Sequence, residues 1–139
     1  TCALPICAMR GVGHEFGLFE MSHAIESEPW GFESNARFLN VGIMFQTDLQ
    51  PLEVLDILQG IEKSISPDSH RDSKGNYIDR VIDIDIVAID EQVIDDERLK
   101  VPHPCLAERR FFLEPMNEIA PDWRHPVTGK NAAEMLAEL

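Results

Sequence analysis

Cysteine is scarce in this chain of 139 residues: there are three, Cys2, Cys7 and Cys105, and no CxxC pair. An odd count without ligand spacing argues against a disulfide framework and a zinc cluster, and predicts reduced thiols in a cytoplasmic compartment. Positive charge is also in short supply. Lys and Arg number 12 against 25 Asp and Glu, a formal charge of −13. Nucleic acid and anionic membranes repel such a chain, so neither is expected as a partner. No apolar run approaches the roughly 18 residues of a membrane span, and the opening Thr-Cys-Ala-Leu-Pro-Ile-Cys does not read as a signal peptide. Missing too are GxxxxGK[ST], GxGxxG and GxSxG, which removes the P-loop, the dinucleotide fingerprint and the nucleophile elbow. No repeat or low-complexity tract is present.

What is present suits one globular core, with 44% hydrophobic and 27% charged residues. Gly11, Gly13 and Gly17 interrupt any period over residues 1–17, so no element is assigned there. An extended segment is expected over 18–27, a breaker-rich loop over 28–37 and a mostly buried strand over 38–47. Pro51 opens a helix whose expected apolar face is Leu52, Leu55, Leu58, Ile61 and Ile65. A polar stretch of 14 residues, 66–79, is long for a compact domain and reads as a functional or mobile connection. Residues 80–89 read as the strongest strand, followed by an acidic hairpin-like segment over 90–98. Two short helices are expected near Cys105–Arg110 and Pro115–Ile119, and an amphipathic helix over Asn131–Leu139. Short interleaved strands and helices predict an α/β or α+β sandwich.

The chemistry centres on Asp83 and Asp85. At i and i+2 on a strand they share a face, about 6.6 Å apart, while Ile82, Ile84 and Ile86 turn to the core. Adjacent carboxylates repel each other, and a cation relieves this. Mg²⁺ suits hard oxygens and takes one or two carboxylates together with substrate phosphates. A solvated strand face is the plain alternative. Arg80, three residues ahead, favours a phosphate clamp. His103 is held between Pro102 and Pro104. The scarce cations gather around the acidic strand at Arg71, Lys74, Arg80, Arg98, Lys100, Arg109 and Arg110, an arrangement suited to a polyphosphate. Trp30, Phe32, Phe38 and Phe111 could stack on a flat heterocycle or simply fill a core. Asn40, inside an apolar strand, could read a heterocycle's edge or satisfy loop backbone.

These motifs converge. Ser27-Glu-Pro-Trp-Gly31, Phe38-Leu-Asn-Val41, Asp79-Arg-Val-Ile-Asp-Ile-Asp-Ile86, Val101-Pro-His-Pro104, Glu108-Arg-Arg-Phe111, Glu118-Ile-Ala-Pro-Asp122 and His125-Pro-Val-Thr-Gly129 closely resemble the 6-hydroxymethyl-7,8-dihydropterin pyrophosphokinase family of folate biosynthesis. The resemblance covers residues 18–139 as a single domain. It implies a ferredoxin-like α+β sandwich, a mostly antiparallel sheet with helices packed on it. It also implies transfer of pyrophosphate from ATP to the pterin hydroxymethyl group, releasing AMP, by a cytoplasmic monomer. Asp83 and Asp85 would hold two Mg²⁺ ions. Gln59, Glu62, Arg80, Ile86, Leu99, Lys100, His103 and Arg109 would meet ATP. Ser27, Pro29, Trp30, Phe38, Asn40 and Phe111 would form the pterin pocket, with Phe111 stacked on the ring and Asn40 at its edge. The 66–79 stretch resembles the family's catalytic lid. There Ser66-Pro67 replaces a Gly-Arg, leaving Arg71 as the nearest stand-in beside Arg80 among the catalytic residues. Residues 1–17 do not match the family's opening strand, Gly-Ser-Asn loop and helix. These departures define the alternative, a catalytically impaired relative that binds ATP or pterin without turnover.

Overall fold

The computed structural model describes residues 4–27, 38–65 and 82–139. Their elements are α1 (Leu4–Phe16), β1 (Phe19–Met21), β2 (Ile25–Ser27), β3 (Phe38–Asn40), β4 (Ile43–Phe45), α2 (Pro51–Ile65), β5 (Ile94–Asp95), β6 (Lys100–Val101), a 3-10 turn (Leu106–Glu108), α3 (Arg110–Ile119) and α4 (Ala132–Ala137). Helix and antiparallel strand are mixed, as expected of an α+β chain. Among the described residues the strands form three two-stranded pairings, β1–β4, β2–β3 and β5–β6, and not one sheet. No described helix is long and apolar enough to cross a membrane. The chain divides into two units, Thr1–Phe19 with Gln46–Ile86, and Glu20–Phe45 with Val87–Leu139.

The first unit is built on α1 and α2. Val54, Leu55, Leu58 and Ile61 are buried on α2, and Ala8 and Val12, one turn apart, are buried on α1. The face expected for α2 is corrected at its first residue: Val54 is buried and Leu52 is exposed. At about 100° per residue Leu52 falls roughly 130° from the middle of the buried stripe. The 13-residue α1 corrects the absence of an element over 1–17. Gly11, which breaks the period, is where α1 meets α2: a Cβ there would lie 3.0 Å from Ile61 Cγ2. Reduced thiols are also corrected in part. Among the described residues Cys7 is disulfide-bonded and Cys105 is free.

In the second unit the two expected extended segments are each broken once. The segment over 18–27 yields β1 and β2, and that over 38–47 yields β3 and β4, with β2–β3 pairing Ile25 to Asn40 and Ser27 to Phe38. The breaks face each other. Ser22 N–H donates to the Gly42 carbonyl at 2.9 Å, and Gly42 N–H donates to Ser22 Oγ at 2.8 Å. Ser22, 3% exposed, satisfies its own hydroxyl on the His23 carbonyl. Gly42 admits Pro115, whose Cβ would stand 2.6 Å from an added Cβ.

The short helix expected over Pro115–Ile119 is part of the ten-residue α3, and Pro115 lies inside it. Its ring removes one helical hydrogen bond, but Leu113 and Pro115 itself are buried on this helix, and that burial holds it together. Leu113 joins Leu106, Ala132 and Met135 in a core flanked by Val87, Phe112, Met116, Trp123 and Leu136. The terminal helix is shorter than expected, and Leu139 is exposed. Asn131 fixes its start through a capping box with Glu134. The largest correction concerns 80–89: residues 82–89 belong to no strand. Their alternation survives, with Ile82, Ile84 and Ile86 half-buried and Asp83 and Asp85 exposed, because burial follows side-chain period and needs no ladder partner.

Candidate active site

In the first unit, α2 carries Gln59, exposed, and Glu62, half-buried, on its last turns. Glu62 Oε1 accepts the Ile84 N–H at 2.5 Å. That amide lies between Asp83 and Asp85, whose side chains are both exposed, while half-buried Ile86 ends the segment. No group of three or more His, Cys, Asp or Glu is placed to hold a metal among the described residues. Two carboxylates on one side of an extended segment nevertheless fit Mg²⁺, which fills its remaining positions with water and phosphate oxygens. Arg71 and Arg80, with the 66–79 stretch, lie outside the described residues.

In the second unit, β5 and β6 form the acidic hairpin, closed by Asp96 and Leu99, which exchange backbone hydrogen bonds of 3.0 and 3.3 Å. Leu99 is buried; Lys100 is exposed and 3.7 Å from Asp95. The chain then turns through a cis Val101–Pro102 bond to His103. His103 N–H donates to the Val87 carbonyl at 2.8 Å, and its Nδ1 accepts the Cys105 N–H at 3.1 Å. With Nδ1 an acceptor, the neutral ring carries its proton on Nε2. The ring lies 4.7 Å from Phe112, which lies 4.8 Å from Phe111. Arg109, the residue preceding α3, sets its guanidinium 5.6 Å from the Phe111 ring and 5.9 Å from Phe112. His103, Arg109 and Phe111 are therefore gathered by one residue, Phe112, which sequence reasoning passed over. The signal available for it was the doubled Phe directly after two arginines. Arg110 faces elsewhere and pairs with Glu114 at 3.4 Å.

The remaining residues expected at the pterin are partly placed. Asn40 Nδ2 donates to the Ile25 carbonyl at 3.4 Å, across the β2–β3 pair, so the amide serves backbone at least in part. Ser27 and Phe38 are opposed in that pair. Pro29, Trp30 and Phe32 lie outside the described residues.

A model of the 7,8-dihydro-6-hydroxymethylpterin-pyrophosphokinase family matches residues 6–121. A 2-amino-4-hydroxy-6-hydroxymethyldihydropteridine pyrophosphokinase of Aquifex aeolicus is 38% identical over 119 residues, 86% of this chain and 72% of that protein. Its counterpart from Porphyromonas gingivalis is 39% identical over 111 residues, 78% and 74% of the two chains. That of Pseudomonas aeruginosa is 38% identical over 123 residues, 88% and 73%.

Proposed function

Since the chain belongs to the 7,8-dihydro-6-hydroxymethylpterin-pyrophosphokinase family, we propose that it transfers pyrophosphate from ATP to 6-hydroxymethyl-7,8-dihydropterin in folate biosynthesis. The hydroxymethyl oxygen bonds to the β-phosphorus of ATP, the bond from that phosphorus to the α–β bridging oxygen breaks, AMP leaves with the bridging oxygen, and the hydroxyl proton is released. The observation that carries this reading is the family match through residues 6–121, a span that includes Asp83, Asp85, His103, Arg109 and Phe111.

Reactions of this kind require alignment and charge neutralisation more than covalent help. Asp83 and Asp85 would hold two Mg²⁺ ions; bound there, the metal neutralises triphosphate charge and polarises the reacting oxygens. His103, protonated on Nε2 and fixed through Nδ1 and its backbone, offers a donor to a phosphate oxygen. Arg109, steadied on two aromatic rings, offers a fork of donors to another. Lys100 adds charge, and Gln59, Ile86 and Leu99 complete the nucleotide contacts. Phe111 supplies a face for the pterin, and Asn40, with Ser27, Pro29, Trp30 and Phe38, its surround. Arg80 and Arg71 would contribute charge during transfer. A ferredoxin-like sheet and a cytoplasmic, monomeric state belong to the same proposal.

The test is AMP release from ATP and the hydroxymethyl pterin, with and without Mg²⁺. AMP in proportion to pterin, abolished by chelation, is the expected result. Pterin binding with no AMP would leave a binding protein in place of an enzyme.

A further inference from the structure

We propose that Glu62 is a positioning residue for the aspartate pair: by accepting the Ile84 N–H it sets the backbone from which Asp83 and Asp85 project, and so the affinity of that pair for a divalent cation. The inference rests on the magnesium reading above and gives Glu62 a part that direct contact with the nucleotide does not require.

The argument begins with the hydrogen bond. A carboxylate accepting a backbone N–H at 2.5 Å is a charge-assisted bond, stronger than a neutral one. The peptide plane that carries this N–H also contains the Asp83 Cα. Holding it restrains the torsion after Asp83 and the one before the Ile84 Cα, and Asp85 follows one residue on. The half-burial of Ile82, Ile84 and Ile86 fixes which way the segment faces, but apolar contact is non-directional and leaves sliding and tilting open. Residues 82–89 belong to no strand, so no β-ladder supplies that restraint among the described residues. Glu62 does so from a firm base. It follows buried Ile61 directly and stands one turn after buried Leu58 on α2, where Gly11 lets α1 close against Ile61. A ligand pair held by a rigid neighbour loses less freedom when it binds an ion.

Two substitutions separate reach from charge. Glu62→Asp keeps the charge and withdraws the acceptor by one carbon; Glu62→Gln keeps the reach and removes the charge. Amide exchange at Ile84, followed by NMR in the unliganded protein, and the calorimetric affinity for Mg²⁺ with a nonhydrolysable ATP analogue are the two readouts. Glu62→Asp is expected to speed Ile84 exchange by about tenfold and weaken Mg²⁺-analogue binding by about as much. Glu62→Gln, which keeps the acceptor at the same reach but without charge assistance, is expected to lose less than Glu62→Asp in both readouts. The reverse order, with the Gln variant impaired and the Asp variant not, would make Glu62 a charge contact and overturn the proposal. Faster Ile84 exchange without loss of affinity would also overturn it. If the parent protein binds no Mg²⁺-analogue complex, the magnesium reading itself fails, and unchanged Ile84 exchange in the Asp variant would then refute the positioning separately.

Discussion

Asp83 and Asp85 are the residues on which the proposed chemistry depends, and both are exposed. Replacing either with Ala is expected to abolish Mg²⁺-dependent nucleotide binding by calorimetry while changing stability by no more than about 0.5 kcal/mol, the usual range for surface sites. Retained binding in either variant would remove the metal assignment. Phe111→Ala should weaken pterin binding by roughly 1–3 kcal/mol, the worth of stacking on an aromatic face, and ATP binding much less. Equal losses would reduce Phe111 to a packing residue against Phe112. The paired aspartates were legible because a two-residue period survives without a ladder. The grouping of His103, Arg109 and Phe111 on Phe112 was not, because ring contacts depend on how the 3-10 turn and α3 are set, which spacing alone does not express. An amide inside an apolar strand suits either ligand or backbone, and the bond of Asn40 to the Ile25 carbonyl shows the backbone share.

Among the elements, α2 was readable from its period and α1 was not, although the residue that hid α1, Gly11, is the one its packing requires. Glycine lowers helix propensity by about 1 kcal/mol, so a local reading discards what close approach of two helices demands. The breaks at Ser22 and Gly42 were hidden for a related reason: apolar runs announce extended chain but not where it must yield to a neighbour. Gly42→Ala tests this. Its new Cβ would meet the buried Pro115 ring at 2.6 Å, and a ring fixed within a helix cannot swing aside. A destabilisation of about 1–3 kcal/mol in urea unfolding is expected, the cost of overpacking. A neutral result would mean that α3 shifts freely away from this turn.

For the molecule as a whole, acidity dominates, with 25 carboxylate side chains against 12 cations, and two individual groups shape its response to pH. Hydrogen bonds from the backbone and side chain of His23 hold the Glu118 carboxyl below the ordinary 4.5. Partial burial lowers His125 below 6.5, consistent with an Nδ1 that accepts the Val127 and Thr128 N–H groups at 3.1 and 3.4 Å. A depressed folded value favours the deprotonated form, so each contribution is complete above the ordinary value and disappears as pH falls through the lowered one. The contribution of His125 to the urea midpoint should therefore fall on acidification below about 6.5, and that of Glu118 below about 4.5. Glu118→Gln should lessen the fall of the midpoint below about pH 4.5 relative to the parent and leave the difference near pH 6 unchanged; an acid limb identical to the parent's would contradict the Glu118 assignment. At this scale the family and the α+β class were legible from ordered motifs, whereas the arrangement of strands in pairs depends on contacts distant in sequence. One of those contacts bears on register. Hairpins ordinarily take their alignment from the connecting turn, and a slip of one residue would turn every side chain over. Here the Ser22–Gly42 clasp holds the alignment from the end of the pair nearer Ile25 and Asn40, so the facing of Ile25 and Asn40 has an anchor of its own.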